Sequence, residues 1–271
     1  MGAGVGGCVL AERLGSIGKK VLLIDKRDHI AGNAFDYHDD HGVLIHKYGP
    51  HYFRTNFPEV REYLSQFTDW IEQRYVIKSC VGGELYDFPI NRRTLNRFFG
   101  QDLKTEEDVK AFLDGVRDKS IGIPKNAEEQ VLKLVGRKIY DAFFKEYTKK
   151  QWGTDAADLD PTVTARIPLR YNEDEAYLND SFQAMPKEGY TRMFEGMVKG
   201  NRNITILLNA GYAQVKDRVK FKKLIYTGPI DEYFGYKHGR LKYRSLRFEH
   251  RSFSNQEYHQ KYSQINYPGK E

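Results

Sequence analysis

The chain has 271 residues, a net charge of +6 at pH 7 and a hydrophobic share of 40%. This length and composition are sufficient for one or two packed cores, and no apolar run reaches the length of a membrane span. Its two cysteines, Cys8 and Cys80, favour a reduced, cytoplasmic chain over a disulfide-linked one. Two cysteines so far apart in sequence also argue against a metal site.

A glycine-rich motif stands at the start of the chain. Residues 2–7 (GAGVGG) fit the pattern G-x-G-x-x-G, and a helix over 8–14 and a strand over 21–24 are predicted after them. In this motif the glycines allow a tight turn, a close approach of the backbone to phosphate and close packing of the helix. Asp25 ends the strand where an acidic side chain binds ribose hydroxyls, which favours NAD or FAD over NADP. The alternative, a plain glycine-rich turn, leaves the correct spacing of these elements unexplained.

Residues 26–33 (KRDHIAGN) continue from the strand into a second glycine turn. A similar segment passes along the cofactor phosphates in large FAD oxidases and their relatives, so FAD is favoured over NAD. Ala31 stands where those proteins have the first glycine of the turn. This exchange costs nothing at negative φ and introduces strain at positive φ.

The other elements follow from local patterns. Helices are predicted over 58–67 and 189–199, and a helical subdomain over 94–147. Strands are predicted over 35–37, 43–45, 74–80, 84–88, 204–208 and 219–227, with strand-like chain from 231 to the end. Residues 166–170 are predicted to form an edge strand, because Pro168 cannot donate to a central ladder. The histidines and aspartates of the turn at 38–42 could hold a metal, but a solvated hairpin tip is favoured.

Basic residues are dense between 216 and 251, with aromatic residues among them. This pattern fits a nucleic-acid surface, attraction of a polyanionic small substrate, or an ordinary solvated strand face. The sequence contains no recognisable nucleic-acid-binding motif, so nucleic acid is the least favoured of the three.

Segments throughout the chain resemble the bacterial UDP-galactopyranose mutase family of flavoenzymes. The most specific are residues 147–153 (YTKKQWG) and 231–237 (DEYFGYK). The others are the N-terminal glycines with 25–30, then 48–53, 88–91, 166–170, 177–180, 185–190, 227–231 and 241–245. The resemblance implies an α/β fold class: an incomplete FAD-binding Rossmann-like domain with a helical subdomain and an antiparallel β-sheet domain. The implied boundaries are 1–74 and 186–229 for the FAD-binding domain, 93–152 for the helical substrate-binding subdomain, and 75–92, 153–185 and 230–271 for the sheet domain.

The resemblance implies an isomerase that interconverts UDP-galactopyranose and UDP-galactofuranose. In the family, reduced FAD is the nucleophile, and its N5 forms a sugar adduct as UDP leaves. Covalent catalysis by a cofactor needs no Ser–His or Cys–His pair, and the sequence shows no convincing one. The protein must orient the substrate and neutralise the leaving diphosphate, for which arginine is suited. The implied partner is UDP-galactose in both ring forms, with no nucleic acid or membrane, and a homodimer is left open.

Site residues are carried over from the resemblance. Arg166 matches the diphosphate-binding arginine of the family, and it is assigned to catalysis together with His51, which lies in a segment that faces the flavin. Tyr147 matches a uracil-stacking tyrosine, Trp152 a substrate-pocket residue and Tyr177 a phosphate-contacting tyrosine. The expected substrate-binding residues are Phe143, Phe144, Tyr147, Trp152, Arg170, Tyr177 and Asn91, the last also in a flavin-facing segment. The expected cofactor-binding residues are Gly2, Gly4, Val5, Gly7, Asp25, Lys26, Gly32, Asn33 and Gly228.

Some of these residues have ordinary structural alternatives. A surface ion pair explains Arg170 as well as substrate binding does. Core packing is favoured over ligand contact for Phe143 and Phe144. A single histidine is usually structural or solvated, so the role of His51 depends on the resemblance.

Family members begin with a strand before the first glycine and continue beyond residue 271. We therefore expect a chain truncated at both ends, poorly stable and inactive by itself. Arg54 stands where many members have histidine, which changes the charge beside the flavin. Two other hypotheses remain: an FAD-dependent oxidoreductase of the amine-oxidase type, and a non-catalytic remnant that binds a nucleotide-sugar or nucleic acid. Net redox turnover would indicate the first, and salt-dependent DNA binding the second.

Overall fold

The computed structural model describes residues 2–253 and 256–269. They form two compact units, the first of residues up to 73 and 180–249, the second of residues 74–179 and 250 onwards. The helices are α1 (Val5–Ser16), α2 (Pro58–Leu64), α3 (Arg92–Phe99), α4 (Glu106–Val116), α5 (Ala127–Ile139), α6 (Lys145–Trp152), α7 (Thr162–Ala165), α8 (Gly189–Val198), α9 (Tyr212–Val215) and α10 (Ile230–Tyr233). The strands are β1 (Val21–Ile24), β2 (Asp36–His38), β3 (Leu44–His46), β4 (Phe53–Thr55), β5 (Trp70–Glu72), β6 (Ile77–Val81), β7 (Glu84–Phe88), β8 (Phe182–Pro186), β9 (Ile204–Leu207) and β10 (Gln264–Asn266). None of the helices described is both long and apolar enough to cross a bilayer.

The first unit is built on a parallel pair of strands. β1 and β9 run in register, with Val21 opposite Ile204 and Ile24 opposite Leu207. Helix α1 packs against both strands and against α8. The aliphatic strand residues and the apolar faces of the two helices form one core, in which Leu23, Met193 and Phe194 are almost fully buried. This arrangement places the N-terminus of α1 beside the end of β1, where a dinucleotide phosphate binds in Rossmann-like folds.

A buried carboxylate joins β2 to the start of α8. The two oxygens of Asp36 accept the N–H groups of Tyr190 at 2.6 Å and of Thr191 at 2.8 Å. Gly189 adopts a φ of +88°, and a Cβ atom there would lie 2.7 Å from the Asp36 carboxylate. A negative charge at a helix N-terminus is favourable, so Asp36 both caps α8 and attaches it to the hairpin of β2 and β3.

The second unit combines a small sheet with a helical core. β6 and β7 form an antiparallel hairpin closed by Gly82 and Gly83, and β10 pairs with β6 in parallel. Side chains at the starts of α3, α4 and α5 accept N–H groups of the first turn, which fixes where each helix begins. A π-helical turn over Tyr140–Phe144 joins α5 to α6. The core of this unit includes Leu95, Val109, Val131, Ile139 and Phe143.

Most of the predicted elements are confirmed. The structure contains helices and strands at the predicted positions 8–14, 21–24, 35–37, 43–45, 58–67, 74–80, 84–88, 94–147, 189–199 and 204–208, with ends shifted by a few residues or, in the helical subdomain, with loops between helices. In these segments the helices and strands could be predicted from the spacing of apolar residues, the hairpin glycines and the capping residues.

The predicted edge strand over 166–170 is wrong. Arg166 follows the last turn of α7, and the N–H of Ile167 donates to the carbonyl of Thr164 at 3.1 Å. Asp160 starts this helical turn, since its carboxylate accepts the N–H of Thr162 at 2.9 Å. The predicted strand would have placed the side chains of Arg166 and Arg170 on the same face. Because the segment is not a strand, the two side chains do not share such a face.

The strand predicted over 219–227 is also absent, and the chain from 231 onwards is only partly strand-like. Residues 219–227 are irregular, residues 230–233 form α10, and the described chain from 240 to 263 contains no regular strand. Pro229 at the N-cap and the acidic residues Asp231 and Glu232 favour a helix start at this point. Alternating lysines are compatible with a strand, but a strand also needs a hydrogen-bonded neighbour, and residues 219–227 have none within the described chain.

Candidate functional site

Two glycines of the glycine-rich turn at the start of the first unit, Gly2 and Gly7, have no room for a side chain. A Cβ atom on Gly7 would lie 1.7 Å from the carbonyl oxygen of Gly2, which itself has a φ of +98°. Helix α1 begins at Val5 without a side-chain cap and without an acidic residue in its first turn. Its first N–H groups are therefore able to donate to a phosphate, as the fingerprint requires.

The second glycine turn lies against the first. Ala31 forms a parallel bridge with Gly4, and a Cβ atom on Gly32 would lie 2.8 Å from the Gly4 Cα atom. The two backbones thus approach each other with no side chain between them. Ala31 adopts a φ of +70°, so the backbone strain that the sequence left open is present, at about 1–2 kcal/mol.

Asp25 lies at the end of β1 and bonds to both turns. Its Oδ2 accepts the N–H of Ala3 at 2.7 Å, and its Oδ1 accepts the N–H of Arg27 at 2.9 Å. A carboxylate has about four acceptor positions, so two remain for ribose hydroxyls. The backbone bonds hold the carboxylate in a fixed orientation beside the glycine-rich turn.

The remaining residues predicted to bind the cofactor are on the surface of the first unit. Val5 is half exposed, Lys26 forms an ion pair with Glu232 at 3.6 Å, and Asn33 accepts a hydrogen bond from Arg27 at 2.8 Å. Gly228 follows Thr227, whose hydroxyl donates to the Gly2 carbonyl at 3.3 Å. The structure therefore brings the segment at 227–228 to the glycine-rich turn. The fit to a pyrophosphate cofactor rests on the crowded glycines and the uncapped start of α1.

His51 has a defined tautomer. Its Nδ1 lies 2.9 Å from the carbonyl oxygen of Gly49, an acceptor, so Nδ1 carries the proton and Nε2 is the basic nitrogen. The N–H of His51 donates to Nδ1 of His46 at 3.1 Å, which keeps that nitrogen of His46 unprotonated. Burial lowers the pKa of His46, and nearby His51 lowers it further, while Asp36 raises it. His46 is therefore neutral near pH 7 and contributes to holding the loop of His51.

Tyr147, Tyr177 and Arg166 lie close together in the second unit. Burial raises the pKa of the Tyr147 hydroxyl, Tyr177 raises it further, and the charge of Arg166 lowers it. The Arg166 side chain is exposed, and within the described residues no hydrogen bond or salt bridge occupies its guanidinium group. The cluster thus presents two phenols and one unpaired guanidinium, a set of groups that can bind an anionic, aromatic ligand.

Arg170 belongs to the framework of the second unit. Its guanidinium donates to the carbonyl of Ala176 at 2.6 Å and to the side chain of Asn179 at 2.6 Å, and it pairs with Asp174 at 3.4 Å. Its side chain is 13% exposed, so this is a largely buried network and not a surface ion pair. Trp152, by contrast, ends α6 with about a third of its surface exposed.

Phe143 and Phe144 are buried in the helical core, as the packing interpretation expects, and their contact with substrate stays a prediction. Asn91 is fully buried and caps α3 by accepting the N–H of Thr94 at 2.9 Å. Its amide group also donates to Asp87 at 2.9 Å. All three residues therefore have structural roles.

A buried ionic network beside Asn91 was missed from the sequence. Lys78 on β6 forms hydrogen bonds with Asp87 on β7 and with Glu175, and Arg93 pairs with the same two carboxylates. Burial opposes the charge on Lys78, but its two carboxylate partners outweigh this effect and raise its pKa. One pair of this network could have been predicted from the sequence, because a hairpin centred on the glycine pair at 82–83 places residue 78 opposite residue 87.

The turn at 38–42 is a hairpin tip. The carboxylate of Asp39 accepts the N–H groups of Val43 and His41, both at 2.9 Å, and these bonds lower its pKa. Across residues 2–253 and 256–269, no three histidine, cysteine or acidic side chains are grouped as metal ligands would be.

Taken together, these features define an α/β protein with a dinucleotide-binding first unit and, in its second unit, a cluster of tyrosines and arginine suited to a nucleotide. The family model described as NAD(P)-binding Rossmann-like domain matches residues 1–67, and the model described as UDP-galactopyranose mutase matches residues 142–271.

Curated relatives extend this match. The chain is 40% identical over 92% of its length to "Probable UDP-galactopyranose mutase" from Klebsiella pneumoniae, of which it covers 64%. It is 31% identical over 99% of its length to the UDP-galactopyranose mutase of Mycoplasma pneumoniae, of which it covers 70%. A solved structure, "Crystal structure of reduced UDP-Galactopyranose mutase", has the same fold with a TM-score of 0.58 and 20% identity, over 76% of this chain and 47% of the other. The chain belongs to the UDP-galactopyranose mutase family, and it spans about two thirds of the length of these curated relatives.

Proposed function

We propose that this chain binds UDP-galactose and takes part in the interconversion of UDP-galactopyranose and UDP-galactofuranose with reduced FAD. The observation that carries the proposal is the cluster of Tyr147, Arg166 and Tyr177 in a chain that belongs to the mutase family. Arg166 is decisive within it, because its exposed guanidinium has no hydrogen-bond or salt-bridge partner among the described residues and is available to a diphosphate.

Each member of the cluster has a distinct part in this proposal. The ring of Tyr147 stacks on the uracil, and its hydroxyl accepts a hydrogen bond from Gln151, one turn further along α6, at 2.8 Å. Arg166 binds the diphosphate and neutralises the charge that develops on UDP as it leaves. Tyr177 donates its hydroxyl to a phosphate oxygen, Trp152 borders the sugar, and Arg170 holds the loop that carries Tyr177.

FAD is the dinucleotide that we propose for the first unit. Gly2, Gly4, Gly7 and the N-terminus of α1 would hold the pyrophosphate, and Asp25 would bind the ribose. When bound in reduced form, FAD supplies the nucleophile for the exchange at the anomeric carbon. His51 has its Nδ1–H engaged by Gly49, so its Nε2 is the basic position that it would present towards the flavin.

The flavin spectrum of the purified chain is the first test. Bound flavin, followed by conversion of UDP-galactofuranose to UDP-galactopyranose after addition of dithionite, is the expected result if the chain is competent by itself. Absence of bound flavin, or absence of conversion by the flavin-bound, reduced chain, would count against the proposal. Consumption of oxygen with net oxidation of a substrate would indicate an amine-oxidase-type enzyme instead.

UDP binding separates the role of the cluster from catalysis. We expect Tyr147→Ala and Arg166→Ala each to weaken UDP binding about tenfold or more, since each removes a charged or stacking contact. Arg137→Ala is the matched control, because Arg137 is an exposed arginine of the same unit that pairs with Glu128. Equal losses in all three variants would contradict the assignment. A cytoplasmic location, a homodimer and the three-part division of the chain stay predictions from the sequence.

A further inference from the structure

The segment Asn172–Ala176 (sequence NEDEA) has all three of its carboxylates paired with arginine or lysine from other parts of the second unit. Glu173 pairs with Arg92 at 2.8 Å, and Asp174 pairs with Arg74 at 2.9 Å. Glu175 pairs with Lys78 at 2.7 Å and with Arg93 at 3.1 Å. We name residues 172–176 the acidic segment.

Glu175 is 41% exposed, and its two cations differ in burial: Arg93 is largely exposed, whereas Lys78 is buried. The side chain of Lys78 is 6% exposed, and that of Asp87, which shares both cations with Glu175, is 11% exposed. The pair of Glu175 with Lys78 has one buried partner, so it is screened less than a pair between two exposed side chains. Glu175 is thereby attached to the β6–β7 hairpin, which is itself part of the folded sheet.

The acidic segment leads directly into the substrate cluster. Ala176, next to Glu175, forms a bridge with Val76, and its carbonyl accepts two bonds from the guanidinium of Arg170. The N–H of Tyr177 donates to the carbonyl of Tyr75 at 2.8 Å. The backbone of Ala176 and the amide of Tyr177 are therefore held in place next to the Tyr177 phenol, which is near enough to raise the pKa of Tyr147.

We propose that Glu175 is a positioning residue, which through Ala176 fixes the phenol of Tyr177 for contact with the diphosphate of a UDP-sugar. This inference rests on the proposed function of the cluster. Glu175 touches no ligand itself: it acts by anchoring the residue next to Tyr177 to the buried Lys78 of β6 and to Arg93 of α3.

The test is a double-mutant cycle on UDP binding, measured by calorimetry on the full chain. Glu175→Gln keeps the size of the side chain and removes its charge. We expect it to weaken UDP binding about tenfold in the unsubstituted chain, and to have no further effect when Tyr177 is already replaced by phenylalanine.

A charge effect alone would act in the opposite direction. Loss of one negative charge favours an anionic ligand, so weaker UDP binding by Glu175→Gln cannot arise from the change in net charge. Asp114→Asn is the matched control, since it removes an acidic side chain of the same unit that pairs with exposed cations at a different place. Equal weakening in the presence and absence of the Tyr177 hydroxyl, or no weakening at all, would overturn the inference.

Hydrogen exchange supplies a readout that needs no ligand. Glu175→Gln is expected to accelerate exchange of the Tyr177 amide at least about tenfold, with no change in the amides of α5. Unchanged exchange at Tyr177 overturns the positioning role whether or not UDP binds. Failure of the unsubstituted chain to bind UDP counts against the proposed function, and the exchange result then decides the inference by itself.

Discussion

At the residue scale, two adjacent glycines of α1 differ strongly in the space that the structure leaves for a side chain. A Cβ atom on Gly7 would lie 1.7 Å from the Gly2 carbonyl oxygen, whereas one on Gly6 would meet nothing within 4 Å. We expect Gly7→Ala to destabilise the first unit by about 3 kcal/mol or more, because backbone atoms must move to admit the methyl group. Denaturant unfolding followed by tyrosine and tryptophan fluorescence measures this loss.

Gly6→Ala is the control for that substitution. It adds the same methyl group in the same helical turn, and alanine has a helix propensity about 1 kcal/mol more favourable than glycine. We therefore expect this variant to be as stable as the unsubstituted chain or slightly more stable. If both substitutions destabilised the chain to a similar extent, the loss at Gly7 could not be explained by the close approach of Gly2.

Cys8 provides a chemical test of the same turn. Burial raises the pKa of its thiol to about 11, and its Sγ donates to the carbonyl of Ala3 at 3.2 Å. Cys8 is fully buried, whereas Cys80 on β6 is partly exposed. We expect iodoacetamide at pH 8 to modify Cys80 first and to reach Cys8 only after unfolding, because the reactive thiolate of Cys8 is scarce and inaccessible.

Mass spectrometry of digested, partially labelled protein identifies the modified residue. Raising the pH to 9 should leave Cys8 unreactive, since that pH is still about two units below its pKa. Rapid labelling of Cys8 in the folded chain would show that the glycine-rich turn opens readily.

At the element scale, Asp36 links β2 to the N-terminus of α8. We expect Asp36→Ala to destabilise the chain by about 3 kcal/mol, since one buried and one partly buried N–H group lose a charged acceptor. Asp36→Asn should lose less, because its one carbonyl oxygen can still accept one of the two N–H groups. Thermal and denaturant unfolding measure both losses.

Asp28→Asn is the comparison for the charge change. The Asp28 side chain is 73% exposed and makes only a 4.0 Å contact with His29. Its replacement should alter stability by about 0.5 kcal/mol or less, as for most surface substitutions. A loss as large as that of Asp36→Asn would show that net charge, and not the cap of α8, accounts for the effect.

Elements whose signals are local could be predicted from the sequence, and elements that depend on a distant partner could not. The hairpin of β6 and β7 follows from its central glycines, and the start of α4 follows from Thr105 and the acidic residues after it. The alternating lysines at 219–227 also indicated a strand, but no neighbouring strand within the described chain pairs with them. Pairing is a property of two segments, and one segment cannot reveal it.

The residues of the candidate site could likewise be predicted only where the pattern is local in sequence. The glycine-rich turn and Asp25 could be placed from spacing alone, because one βα unit contains the whole pattern. The link from Glu175 to Lys78 could not, since nearly one hundred residues separate them. Arg170 was predicted to contact substrate, and only the structure shows the bonds that tie it to Ala176 and Asn179.

At the scale of the whole molecule, the proposed FAD residues and the proposed UDP residues belong to different units. We expect UDP to raise the unfolding temperature without added FAD, because Tyr147, Arg166 and Tyr177 all lie in the second unit. At one hundred times its dissociation constant, UDP should add about 2.7 kcal/mol to stability. Differential scanning fluorimetry with UDP, with FAD and with both measures this effect.

Arg166→Ala should reduce the UDP-dependent stabilisation to about half or less at the same UDP concentration, since a tenfold weaker affinity leaves about 1.4 kcal/mol, and it should leave any FAD-dependent shift unchanged. A shift with UDP that appears only when FAD is present would contradict the separate placement of the two sets of residues. Such a result would mean that the nucleotide site forms only in the cofactor-bound protein.

The first unit is discontinuous in sequence, and this has a consequence for synthesis on the ribosome. β1 cannot pair with β9 until about 180 further residues have been translated, and such a long loop is slow to close. The helices α3 to α6 lie between these strands and make contacts close in sequence. The nascent chain should therefore acquire its inserted helical core first, while the glycine-rich turn at its N-terminus waits for its sheet partner and is exposed to chaperones.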